Sequence, residues 1–128
     1  MSAASILLTN ILVKKMDSIK YRIKFVGDDV LVDYDGMNWF AAQEIGFDVP
    51  IAQNEIFINE QTLTKPEIVA TIVHEITEAN HMRDGLHYWK AHKIAAEAEK
   101  DPKNLAIVER YLEENDLFPN ESSLDVEL

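Results

Sequence analysis

The chain has 128 residues, 47% hydrophobic and 27% charged, enough for one domain whose core buries roughly two thirds of the unfolded surface. It contains no cysteine, which excludes disulfides, thiolate metal sites, iron–sulfur clusters and a cysteine nucleophile. Twelve Lys and Arg against 23 Asp and Glu leave a net charge of −11, which argues against holding a nucleic-acid backbone by counterion release.

In chain order, residues 1–19 read as an N-terminal extension, 20–118 as a single domain and 119–128 as an acidic tail. The first 26 residues carry five bases and one acid, so the negative charge belongs to the middle and the C-terminal end. The apolar runs Ile6 to Leu8 and Ile11 to Val13 are far too short to span a bilayer, and they precede Lys14 and Lys15 in the wrong order for a secretory signal. A soluble, cytoplasmic protein with no membrane partner is expected.

Tyr21 to Val26 alternates in polarity, Gly27-Asp28-Asp29 signals a turn, and Val30 to Tyr34 alternates again, which predicts two strands of a hairpin or meander. Asn38 to Gly46 reads as a short helical or irregular segment, with Trp39 and Phe40 in the core. Glu55 to Asn59 predicts a short strand whose Ile56 and Ile58 share a face. Thr64-Lys65-Pro66-Glu67 is a capping box, and nothing breaks a helix from there to Asp84, before Gly85. Ile68, Val69, Ile72, Val73, Ile76 and Ala79 give that helix its apolar side. Tyr88 to Lys100 reads as a second helix with His92, Ala95, Ala96 and Glu99 near one face. Asp101-Pro102 starts a third, with Leu105, Val108, Tyr111 and Leu112 inward, ending at Phe118-Pro119-Asn120.

The chemistry lies in His74-Glu75-Ile76-Thr77-Glu78-Ala79-Asn80-His81. His74, Glu78 and His81 stand at i, i+4 and i+7, opposite the apolar side, with Glu75 at the edge of the stripe. Two ligand-capable side chains four apart on a helix can chelate one ion, and the carboxylate after the first ligand is placed to take a proton from a metal-bound water. The four histidines of the chain all fall between positions 74 and 92, a clustering that a metal site produces.

The segment EIFINEQTLTKPEIVATIVHEITEANH, residues 55 to 81, resembles the small zincin-type metallopeptidase domains of SprT-like and ImmA/IrrE-like proteins. These have an Ile-x-Ile-Asn or Ile-x-Ile-Asp strand, a spacer and a helix bearing Leu-x-His-Glu-x-x-His. The resemblance implies an α+β fold, with a small antiparallel sheet packed on a metal-binding helix that two C-terminal helices follow. It implies that Glu55 to Asn59 is an edge strand lying beside a bound peptide. His74 matches the first zinc ligand, Glu75 the general base and Glu78 the second ligand, where this chain has Glu in place of His.

For the third ligand, three donors at i, i+4 and i+7 of one straight helix splay along the axis at about 1.5 Å per residue, which disfavours His81. His92 on the next helix is preferred, with Glu99 as an alternative ligand or as the partner that orients an imidazole. Asp84 is a weaker alternative. The expected ion is zinc, and the extra carboxylate admits Mn or Fe. The leading expectation is a metal-dependent hydrolase or peptidase, acting on a peptide or protein substrate with Glu75 as base. The alternatives are an inactive zincin-like binding or adaptor protein, an acidic decoy for a nucleic-acid-binding partner and, ranked lowest, a di-iron protein built on Glu78-x-x-His81.

Overall fold

A computed structural model describes residues 21–119, so the expected N-terminal extension and all but the first residue of the expected acidic tail lie outside the described residues. The architecture is mixed α+β, with a three-stranded sheet and five helices among the described residues. In chain order the elements are β1 (Arg22–Val26), α1 (Asp28–Leu31), β2 (Gly36–Asn38), α2 (Trp39–Ile45), β3 (Glu55–Asn59), α3 (Lys65–Arg83), α4 (Tyr88–Ala98) and α5 (Pro102–Glu114). None of these helices is long and apolar enough to cross a membrane.

The sheet differs from the expected one in two ways. Its order is β1-β3-β2, with β1 parallel to β3 and β2 antiparallel to it, so the sheet is mixed and Glu55–Asn59 is its central strand instead of an edge. The physical reason is in β3 itself. Ile56, Phe57 and Ile58 are consecutive and all buried, the pattern of a strand covered on both faces. Ile56 and Ile58 pack with Ile68, Ile72 and Ile76 of α3, while Phe57 packs on the opposite side with Leu31, Met37, Ala41 and Ala42.

The second strand of the expected hairpin, Val30 to Tyr34, is also replaced. Its first half is the one-turn helix α1, and the strand that pairs with β3 begins two residues beyond Tyr34, at Gly36. The Asp28 carboxylate holds this turn, accepting from the Asp33 N–H at 2.9 Å and from Asn59 Nδ2 at 2.9 Å. Val32 and Asp33 both adopt positive φ, 49° and 76°, in the left-handed region that a β-branched residue rarely enters.

The helices follow local sequence closely. Asn38 caps α2 by accepting from the Ala41 N–H, and Gly46 ends it at φ 75°. Trp39 and Phe40 are only partly buried, each against a different core cluster. The full capping box of Thr64 and Glu67 opens α3. Asp101 caps α5, which seats Val108, Tyr111 and Leu112 against α3. The polar stripe of α3 is not solvated. Glu75 and Glu78 are 6% and 2% exposed, because β2 and α4 cover that side of the helix.

Candidate metal centre

α3 contributes His74 and Glu78, one turn apart, and α4 brings His92 against them. Ala91 and Ala95, both fully buried, form the small-residue face that lets α4 approach closely. The start of α4 is tied down from α2: both carboxylate oxygens of Glu44 accept from the Tyr88 N–H at 3.1 Å, where His87 itself supplies no side-chain cap.

The three candidate ligand atoms form a compact triangle. His74 Nε2 lies 3.3 Å from Glu78 Oε2 and 3.1 Å from His92 Nδ1, and His92 Nδ1 lies 2.9 Å from Glu78 Oε2. All three fall within 4.8 Å of one another, so this cluster can hold a metal ion. Tetrahedral bonds of about 2.0–2.2 Å to N and O require ligand atoms roughly 3.3–3.6 Å apart, and the triangle is within a few tenths of an ångström of that. Two imidazoles, one carboxylate and a free fourth position make up a donor set of catalytic zinc sites.

His74 and Glu78 are each held by a further group. His74 Nδ1 is 2.6 Å from Glu99 Oε1, so the carboxylate orients the ring with Nε2 toward Glu78 and His92. Of the two roles considered for Glu99, the structure supports that of orienting partner, and the imidazole concerned is that of His74. Asn38 Nδ2 donates to Glu78 Oε1 at 3.0 Å and to Glu75 Oε1 at 2.9 Å, fixing both buried carboxylates from the end of β2. Gly36, two residues earlier, lets β2 come this close. A Cβ there would lie 2.7 Å from Thr71 Cγ2 and 2.9 Å from Glu75 Cγ.

The charges interact strongly. Burial opposes protonation of His74, but the hydrogen bond to Glu78, the charges of Glu75 and Glu78 and the Glu99 hydrogen bond outweigh it and push the imidazole up to about 9. Burial first and the Glu78 charge second push Glu75 up to about 8, against the opposing pull of His74 and Asn38. Burial and the charges of Glu78 and Glu75 also raise the Tyr88 phenol.

The remaining candidates stand apart from the triangle. The His81 carbonyl accepts from the Asp84 and Leu86 N–H groups at the end of α3, Asp84 caps that helix, and the exposed His87 lies 3.8 Å from Glu44. Among the described residues, the group that can hold a metal ion includes Glu78 but not His81.

A cavity of about 440 Å³ opens over the triangle, with β2, α2 and the Asp33-Tyr34-Asp35 turn on one side and α4 on the other. Asp33 and Asp35, in the turn before β2, line it. Asn38, Asp35 and Tyr88 were not identified as site residues from the sequence. Asn38 carries a local signal as a helix cap, but nothing near it points to carboxylates 37 and 40 positions away.

No protein-family model, curated protein or solved structure matches this chain.

Proposed function

We propose that the protein is a divalent-metal-dependent hydrolase of peptide or other amide bonds, built on a zincin-like plan. The observation that carries this reading is the triangle of His74 Nε2, Glu78 Oε2 and His92 Nδ1 on the floor of a cavity, with the buried Glu75 carboxylate beside it. The donor types match those of a zincin site, with one imidazole and the carboxylate exchanged: Glu78 takes the second helix position and His92 supplies the missing imidazole from α4. Zinc suits this set, and its carboxylate also admits Mn or Fe.

A bound divalent ion would polarise the scissile carbonyl and lower the pKa of a water toward neutrality. Glu75 accepts the proton of the attacking water and returns it to the leaving amine. Asn38 holds Glu75 in place through Oε1, which leaves Oε2 for the proton. Tyr88 lines the same cavity with its phenol protonated, a donor for the carbonyl oxygen. Glu99 keeps the His74 ring in the tautomer with Nε2 free.

Elemental analysis of protein purified without added metal tests the first half, with near-stoichiometric Zn, Mn or Fe as the expected result. Glu75→Gln tests the second: metal content is retained, while hydrolysis of a quenched peptide library falls by about 10²–10⁴. Absence of metal, with thermal stability unchanged by chelator and by His74→Ala, would overturn the proposal. Bound metal with no hydrolysis by the wild type would leave an inactive binding protein on the same scaffold.

A further inference from the structure

The cavity over the triangle has an unbalanced lining. Five carboxylates face it, from Asp33, Asp35, Glu75, Glu78 and Glu99, and among the described residues no Lys or Arg lines it. Glu75 and Glu78 belong to the floor, where a divalent ion offsets two negative charges. Glu99 is bound to His74. Asp33 and Asp35, at the rim, form no ion pair among the described residues.

The rim is close enough to the floor to act on the same substrate. Burial, and then the charges of Glu67 and Glu99, raise the Asp35 carboxyl, while His74 pulls it back, so Asp35 lies within electrostatic reach of the triangle. At the floor, the buried Glu75 carboxylate is held by Asn38 through Oε1. Tyr34, Met37, Ala41, Ile45 and Tyr88 supply apolar surface to the same lining. A volume of about 440 Å³ is within the range of small-ligand pockets and accepts one long side chain together with its backbone.

We propose that the cavity selects a substrate segment bearing a Lys or Arg side chain beside the bond to be hydrolysed, with the cation received by Asp35 and Asp33 and its aliphatic stem laid along Tyr34, Tyr88 and Ile45. A long stem with a charged tip suits a pocket that is apolar along its wall and anionic at its mouth. An acidic substrate would meet like charge with no cation to offset it. The substrate class rests on the hydrolase reading, while the charge preference rests on the cavity lining alone.

The test is fluorescence anisotropy of labelled short peptides, identical except for a central Lys, Ala or Glu, titrated with Glu75→Gln protein in added zinc and, separately, in chelator. The Lys peptide binds at least about tenfold tighter than the Glu peptide in both conditions, and added salt narrows the gap. The pair Asp33→Asn and Asp35→Asn removes most of that preference. The charge-matched pair Glu109→Gln and Glu113→Gln, on the exposed side of α5, leaves it intact. Equal affinities for Lys and Glu peptides, or the same loss in the α5 pair, would overturn the inference. Wild-type metal content and hydrolysis are measured alongside. Hydrolysis without charge preference sinks the inference and leaves the function, whereas preference without hydrolysis does the reverse.

Discussion

His74 is where protonation and ligation compete. With its pKa raised to about 9, the imidazole carries a proton at neutral pH that must leave before Nε2 can bind an ion. Metal binding at pH 7 is therefore expected to release more than one proton, from His74 and from the neighbouring Glu75, measurable by calorimetry in buffers of different ionisation enthalpy, and affinity should fall as pH is lowered. The apo chain has its own pH dependence. Folded His74 titrates at about 9 against 6.5 for a free imidazole, and folded Glu75 at about 8 against 4.5. Between pH 6 and 9 the folded state thus holds more protons than the unfolded state, so stability falls as pH rises. The melting temperature of chelated protein should drop across that window, and Glu75→Gln should flatten the curve. Glu99→Ala, which removes the partner of His74 Nδ1, should weaken metal binding by about 10–100-fold with the fold intact.

At the scale of elements, two short segments place the site. The α1–β2 turn carries Asp33 and Asp35 to the cavity mouth at the cost of a left-handed Val32, which is 58% exposed and packs little. Val32→Gly should relieve this and stabilise the protein by about 1 kcal/mol in urea denaturation, with no change in metal affinity. The second segment is the start of α4, held by Glu44. Glu44→Ala should cost about 1 kcal/mol and loosen His92 before it affects His74 or Glu78, read as faster amide exchange in α4 alone. Local sequence made α3, α4 and α5 legible because caps, proline positions and Gly85 are signals within a few residues. Val30 to Tyr34 misled because its alternation suits a strand equally well, and the bonds that bend it into α1 come from Asp28 and Asn59, 31 positions apart.

At the scale of the described residues, the two core clusters meet on β3, and α3, α4 and β2 converge on a polar seam at the triangle. That seam is the part of the structure whose stability depends on what fills it. A metal that binds only the folded state adds RT ln(1 + [M]/Kd), about 2.7 kcal/mol at a hundredfold excess over Kd. Saturating zinc should therefore raise the melting temperature by several degrees in wild type and leave a His92→Ala and Glu78→Ala double variant unmoved. The net charge of −11 also looks different in three dimensions. Part of it is gathered around one cavity, where five carboxylates meet without a Lys or Arg among the described residues.

The linear chain by itself determined α3, α4 and α5, the pairing of His74 with Glu78 and the nearness of Glu75. Those facts depend on a period of 3.6 residues and on caps a few positions away. It also narrowed the third ligand to a short list with His92 at its head. Only the tertiary structure decided that β3 is central, because burial on both faces is a property of what covers a strand. Only the packing of Ala91 and Ala95 against α3 brought His92 to His74 and Glu78, and gave Glu99 to His74. The joining of Asn38 to Glu75 and Glu78, and of Asp35 to the same cavity, spans about forty positions or more, a range over which no local preference acts.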